Sequence, residues 1–295
     1  MNYKVFESSE KNVWKYVFTK EDMVAEAVLY KYEDFYKRTV ICCSTMSGCP
    51  VGCCFCGTGN QFVRNLTSTE IVHQILSVLK DKSILDIDEK GERFQIMFMS
   101  MGEPLLNWDR VAKAIKELHE MFPNAELLLS TIAPNEGESI AKMIKLSKEI
   151  SNIGLQFSIH KSTDEKRNVL IPYKDKLDLY QIRDLGIIWW KETGRHPYLN
   201  YCIDGTNNTK EDIENLQRLF SPIVFNFTFS VVCSPDENMK NAGYKNLEAI
   251  RLFEKAFIEK GYNTRIFDPA GQDDIGGGCG QLWYVQKWLK DYNSK

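Results

Sequence analysis

After Arg38 the chain alternates short apolar runs with amphipathic stretches, and this alternation limits the possible folds more than any other feature. The runs TVICCS, FQIMFMS, ELLLS, GLQFS, YLNYCI, IVFNFTFSVV and NTRIF have the length and side chains of buried strands. Helices are expected between them. The first starts at Thr67, which with Glu70 makes a capping box ahead of Ile71, Ile75 and Leu79. Others follow Asn107, Glu138, Leu177, Lys210 and Asn246, and a last one begins near Trp283. Strand and helix alternating in this way predict a parallel sheet with helices outside, as an open or closed barrel. In such sheets chemistry gathers on loops at the carboxyl ends of the strands. The segment 1–38, polar and aromatic with the strand-like EAVLYKY, is expected to be a short N-terminal extension, with the barrel over 39–295.

The balance of 37 Lys and Arg against 40 Asp and Glu gives a net charge of −3, which argues against general attraction to nucleic acid or anionic lipid. Local basic patches are not excluded by it. No apolar run reaches membrane-spanning length, and the N-terminus lacks the apolar core of a secretion signal. No membrane association and a cytoplasmic location are therefore expected. There thiols stay reduced, so cysteines read first as metal ligands, catalytic groups or small buried hydrophobes.

Cysteine is concentrated in one place. Cys42, Cys43, Cys49, Cys53, Cys54 and Cys56 lie close together, while Cys202, Cys233 and Cys279 are scattered. Cys49, Cys53 and Cys56 are separated by three and then two residues, with glycines at 48, 52 and 57 that allow close backbone approach. One loop can wrap three such thiolates around an inorganic centre. A structural zinc site usually takes four ligands in two separated pairs, and no second pair exists. A 4Fe-4S cluster held by three thiolates keeps one iron open for a substrate or cofactor. Cys54, adjacent to Cys53, is expected to point away into packing, and Phe55 to shield the cluster from water.

The spacing with its aromatic residue, together with CCSTMSGCPVGCCFCGTG, RNLTSTEI, MSMGEPLLN, SIH followed by LIP, and DDIGGGCGQL, resembles the RlmN and Cfr family of radical S-adenosylmethionine (SAM) methyltransferases that act on adenine in RNA. The similarity runs from about Glu26 to Leu282 and implies a partial parallel (β/α)6 radical SAM barrel with a C-terminal loop and helix. It further implies a 4Fe-4S cluster on Cys49, Cys53 and Cys56, SAM on the open iron, and an electron donor such as flavodoxin or ferredoxin. A monomer is expected.

In the resembled family a C-terminal cysteine is methylated by one SAM, and a second SAM is cleaved to a radical that takes hydrogen from the S-methyl group. The carbon radical then adds to an sp² carbon of the base, and a second cysteine resolves the adduct through a disulfide. The resemblance assigns the methyl-carrying role to Cys279 and the resolving role to Cys42. It matches Glu26 to the base that removes the proton, with Glu33 and Asp34 as rivals. Gly102, Glu103, Ser130, Ser158, Ile159, His160 and Ser234 match SAM contacts. A histidine ending a strand is otherwise a core residue as readily as a ligand contact, and only the SIH context favours the second reading.

Three departures bear on the substrate. The family carries an N-terminal accessory domain that helps hold RNA, whereas residues 1–38 precede the barrel here, so part of the RNA grip is expected to be missing. Ser234 in VVCSP stands where the family has asparagine, and RIFDPAG replaces a basic segment. Lys161, Lys166, Arg167, Lys174 and Lys176 are candidate phosphate contacts, or an ordinary solvated face. The expected reaction is methylation of adenine in ribosomal or transfer RNA. The alternatives are the same transfer to a small molecule, free nucleotide or peptide, and a non-catalytic SAM- or RNA-binding relative. Retention of Cys42, Cys279 and the three cluster cysteines speaks against the last.

Overall fold

The computed structural model describes residues 1–59, 61–233, 242–278 and 280–293. An antiparallel meander of β1 (Asn2–Glu7), β2 (Val13–Lys20) and β3 (Met23–Tyr32) leads into β4 (Arg38–Cys43), which pairs antiparallel with β3. A small hairpin, β5 (Met46–Gly48) with β6 (Phe62–Asn65), carries the cysteine loop between its arms. Helices α1 (Ser68–Asp81) and α2 (Ile87–Lys90) precede β7 (Phe94–Phe98), and a 3-10 turn at Pro104–Asn107 opens α3 (Trp108–Met121). Then follow β8 (Glu126–Thr131), α4 (Gly137–Glu149), β9 (Ile153–Ser158), α5 (Asp164–Leu170), α6 (Leu179–Thr193), β10 (Tyr198–Cys202), α7 (Lys210–Leu219) and β11 (Asn226–Ser230). The short pair β12 (Val232–Cys233) and β13 (Ala242–Tyr244) stands before α8 (Leu247–Ile258), β14 (Thr264–Phe267) and α9 (Tyr284–Asn293).

One 10-stranded sheet takes the order β1-β2-β3-β4-β7-β8-β9-β10-β11-β14. From β4 to β14 its neighbours run parallel. This is the expected α/β barrel, left open because β4 and β14 are not paired. Helix positions follow from local sequence: Thr67 accepts from Glu70 N at 3.2 Å while Glu70 Oε2 accepts from Thr67 N at 3.0 Å, completing the capping box. Outside the barrel, Phe227 of β11 meets Phe257 of α8 with ring centroids 4.7 Å apart. Burial of side chains this size contributes roughly 1.5–3 kcal/mol each.

The N-terminal segment is built into this sheet. One face of β2 and β3, with Tyr16, Phe18, Ala25 and Ala27, joins the main core. The other face carries Val13, Val17, Val24 and Val28, against which Leu282, Val285 and α9 pack. The meander therefore holds the C-terminal segment across the open side of the barrel. Among the described residues no helix is long and apolar enough to cross a membrane.

Candidate cluster and cofactor site

The β5–β6 hairpin closes the base of the cysteine loop, with Cys49 N donating to Gln61 O at 2.7 Å. Gly48 has φ +77°, and a Cβ there would stand 1.9 Å from Gln61 O, so no side chain fits. Cys56 N donates to Cys53 O at 3.0 Å, and Cys54 N to Leu170 O at 2.9 Å. These turns direct Cys49, Cys53 and Cys56 into one cavity that opens to solvent. Phe55 lines it as well and meets His160 edge-on at 5.1 Å. Cys54 points away as expected, but not into packing: it is exposed, and its Sγ donates to Val169 O at 3.2 Å. Leu170 and Val169 end α5, which occupies the space behind the loop.

Burial pushes the Cys49 thiol up to about 12 and the Cys53 thiol well above its ordinary value, and raises Cys56 too. Cys49 and Cys53 are raised further by charge on their neighbouring thiols. Three thiols in so dry a site ionise only alongside a bound cationic centre. Among the described residues no three His, Cys, Asp or Glu side chains converge as ligands of one metal ion. A polynuclear cluster bonds each thiolate to a different iron, so its ligands need to share a pocket rather than a point. The donor set fits a three-thiolate 4Fe-4S cluster.

Gly102, Glu103, Ser130, Ser158 and His160 line the same cavity. Gly102 follows β7 with φ +103°, and a Cβ would lie 2.7 Å from both Met46 Cβ and Thr45 Oγ1. Glu103 is buried and accepts from Thr131 Oγ1 at 2.6 Å, Ile132 N at 2.9 Å and Leu105 N at 3.0 Å. Burial lifts its carboxyl to about 7 against those three donors. It thus staples the ends of two strands as well as facing the cavity. Ser130 and Ser158 hydroxyls lie 3.4 Å apart. His160 has φ +59° and accepts from Cys202 N through Nδ1 at 3.1 Å. Burial pushes its pKa down to about 3, so the ring is neutral at pH 7. Ile159 sends its side chain into the core, and its backbone N–H donates to Asn200 O at 3.1 Å. Ser234 and Cys279 lie outside the described residues.

Adjacent strand residues point to opposite faces, and Cys42 and Cys43 divide accordingly. Cys43 enters the core. Cys42, 8% exposed, lines a small cavity whose other wall is formed by Gly277, Gly278, Gly280 and Leu282. That glycine-rich loop is held on both sides of position 279. Lys15 Nζ donates to Gly276 O at 3.1 Å and Tyr30 hydroxyl donates to Gly277 O. On the far side Gly57 N donates to Gly280 O at 2.5 Å, and Thr58 Oγ1 to Leu282 O at 2.9 Å. The meander and the cluster loop thus grip the same segment.

Glu26 lies on β3 two residues before Val28, the partner of Cys42 across the sheet, and so shares its face. Its Oε1 accepts from Tyr284 N at 2.9 Å, and Oε2 is buried without a hydrogen-bond partner among the described residues. Burial raises its carboxyl to about 7, against the lowering effect of Lys15 and the Tyr284 N–H. The rivals stand elsewhere. Glu33 and Asp34 occupy the exposed turn beyond β3, where Asp34 Oδ1 accepts from Tyr36 N and Lys37 N.

Folding withdraws two of the five candidate basic residues, Arg167 and Lys161, from solvent and leaves Lys166 and Lys174 exposed. Arg167 is 0% exposed and donates to Ile132 O at 2.7 Å and Leu177 O at 2.8 Å. Burial disfavours its charge, while Asp164 and then Cys53 favour it. Lys161 pairs with Asp204 at 2.5 Å, and Lys166 with Asp212 at 3.7 Å. Sequence reading missed Lys15, although a lysine inside the apolar run VWKYVF was the available signal. It also missed Asn200, which lines the cluster cavity.

No family model matches the chain. The probable dual-specificity RNA methyltransferase RlmN of Thermotoga petrophila is 32% identical over 275 residues, covering 91% of this chain and 75% of that protein. The protein of the same description from Pseudothermotoga lettingae is 34% identical over 283 residues, covering 93% and 77%. The crystal structure of a radical SAM methyltransferase from Sphaerobacter thermophilus matches with a TM-score of 0.80 and 27% identity, over 95% of this chain and 80% of that one. SuiB of Streptococcus suis bound to S-adenosylmethionine matches with a TM-score of 0.56 and 14% identity, over 80% of this chain and 51% of that one, a likeness in fold alone.

Proposed function

Because the chain belongs to the RlmN family of radical SAM methyltransferases, enzymes that use SAM and a 4Fe-4S cluster, we propose that it methylates an sp² carbon of adenine in RNA. The description of its relatives as RNA methyltransferases supports the RNA substrate. An adenine ring carbon is a poor nucleophile and does not take the methyl group of SAM by displacing S-adenosylhomocysteine, so the carbon must be attacked by a radical. When bound on Cys49, Cys53 and Cys56, the cluster supplies the electron for reductive cleavage of SAM, drawn from a flavodoxin- or ferredoxin-type donor.

The chain's own residues do the rest. Cys279 loses its thiol proton and receives a methyl group from a first SAM. That methyl gives up a hydrogen atom to the 5′-deoxyadenosyl radical from a second SAM, leaving a carbon radical, which bonds to the adenine carbon. The adduct returns one electron to the oxidised cluster, and Glu26 takes the proton from the attacked carbon. Cys42 then bonds to the sulfur of Cys279 as the carbon–sulfur bond breaks, and the released carbon takes up a proton to become the methyl product. Gly102, Ser130, Ser158 and His160 orient SAM in their shared cavity.

The observation that carries this reading is the placement of Cys42 across a small cavity from Gly278 and Gly280, the neighbours of Cys279. Peptide mass spectrometry of protein purified anaerobically from cells tests it. A methyl group on Cys279 is expected; unmodified Cys279 in cluster-loaded protein supplied with SAM overturns the assignment.

A further inference from the structure

Three cavities meet at one side chain. Met99, just after β7, lines the cluster cavity, the small cavity beside the glycine-rich loop, and a third that runs into the barrel lumen. Cys42 and Phe267 line the second and third, and Asn200 lines the first and third. A base that bonds to the carbon on Cys279, and is released when Cys42 attacks the sulfur, must lie within reach of both cysteines. The lumen is the cavity on that side of Met99.

Asn200 is a polar group at this junction. On β10 it stands between Leu199 and Tyr201, which enter the core, so its own side chain faces the barrel interior. It is 3% exposed, and Ser230 on β11, 1% exposed, donates through Oγ to Asn200 Oδ1 at 2.8 Å. The backbone carbonyl of Asn200 is engaged separately, accepting from Ile159 N at 3.1 Å and His160 N at 3.3 Å. Among the described residues Nδ2 has no hydrogen-bond partner. The amide is thus fastened by its oxygen while its nitrogen is left as a buried donor. Such a donor is unfavourable alone, and a ligand atom that accepts from it offsets the cost.

We propose that Asn200 reads the acceptor base: its Nδ2 donates to a ring nitrogen of the adenine held in the lumen, and Ser230 is the positioning residue that keeps the amide in that orientation. This deepens the RNA methylation reading and rests on it. Ser230 lines the lumen, whereas the cluster cavity has Ser130, Ser158 and His160 for the polar groups of SAM. Val40, Met97 and Ile266 join Met99 and Phe267 in giving the lumen apolar walls, which suit the faces of a planar base turned out of its chain. Adenine offers acceptors at three ring nitrogens, and a neutral amide donor selects one of them without a charge on either side.

Equilibrium binding to anaerobic, cluster-loaded enzyme with SAM tests this. The probes are the pentaribonucleotide UUAUU, its forms with 1-, 3- or 7-deazaadenosine at the centre, and UUUUU. Each deaza base replaces one ring nitrogen by C–H and so removes one acceptor. In wild type one of the three should bind about tenfold more weakly than UUAUU. That penalty should vanish in Asn200→Ala, which removes the donor. Ser230→Ala, which unfastens the amide without removing it, should reduce the penalty in part and stands in if Asn200→Ala fails to fold. UUAUU bound no more tightly than UUUUU, three deaza probes bound like UUAUU, or a penalty unchanged in the variants overturns the proposal. So does a loss of SAM affinity of about tenfold in Asn200→Ala, which would give the amide to SAM. Methylation of Cys279 is scored separately in the wild-type protein, so failure of the base contact and failure of the radical mechanism are told apart.

Discussion

Lys15 Nζ stands 3.9 Å from Glu26 Oε2, with the two side chains 2% and 0% exposed, and the same ammonium donates to Gly276 O. The register of β2 on β3 pairs Lys15 with Val28 and Val17 with Glu26, which makes Lys15 and Glu26 diagonal neighbours on one face. A cation thus joins the candidate proton acceptor to the loop that bears Cys279. Its removal should disturb both at once. Lys15→Met should slow proton removal from the adduct at pH 7 by about tenfold, measured in single turnover with Cys279 already methylated. An unchanged rate would sever Lys15 from the chemistry.

Glu26 also predicts a pH dependence of stability. Its folded pKa, raised by burial to about 7, exceeds the ordinary carboxyl value of 4.5, so the folded state holds the proton longer. Its share of stability is complete below about pH 4.5 and is lost as pH rises through 7. Relative to wild type, Glu26→Gln should gain on the order of 1–3 kcal/mol between pH 5 and pH 8. Denaturant melts at the two pH values give the difference, and parallel curves would refute it.

His160 runs the other way. Burial pushes its pKa down to about 3, below the ordinary 6.5, so stability is present above pH 6.5 and drains away toward pH 3. Wild type should lose on the order of 1–2 kcal/mol from this source by pH 5. Asparagine tolerates the left-handed backbone and can accept from Cys202 N, so His160→Asn should show a flatter acid limb. The same slope in both proteins would assign acid sensitivity elsewhere.

The neighbouring cysteines Cys42 and Cys43 should separate cleanly on mutation. Cys43→Ala removes a core side chain and should cost about 1–2 kcal/mol with methylation of Cys279 retained. Cys42→Ala should leave that methylation and SAM cleavage intact while a covalent protein–acceptor adduct accumulates on denaturing gels. Normal turnover by Cys42→Ala would remove it from the resolving role.

Gly102→Ala should be costly out of proportion to one methyl group. The positive φ and the close approach to Met46 and Thr45 leave no room for it, and the strain should cost on the order of 2 kcal/mol. Since Gly102 borders the cluster cavity, reconstituted iron content should fall as well. Full iron loading and an unchanged melting temperature would show that the backbone yields there.

Much of the architecture was legible in advance. The strands ELLLS and GLQFS, the helix capped by Thr67 and the spacing of Cys49, Cys53 and Cys56 each depend on residues within one element or one loop. The N-terminal meander was harder to read, since β1 is largely exposed and has little apolar pattern. The segment from Lys161 to Lys176 left two readings open for a related reason: its charge content does not show that Arg167 is buried or that Lys161 faces Asp204.

The sequence by itself therefore determined the parallel barrel and the three-thiol loop, because hydrophobic period and ligand spacing act over a few neighbouring residues. Tertiary structure alone decided which charges meet. Lys15 reaches Glu26 only through strand register, and Cys42 faces Gly278 only because the C-terminal loop crosses the open side of the barrel. Electrostatic energy depends on distance and burial, and both are set by segments far apart in the chain.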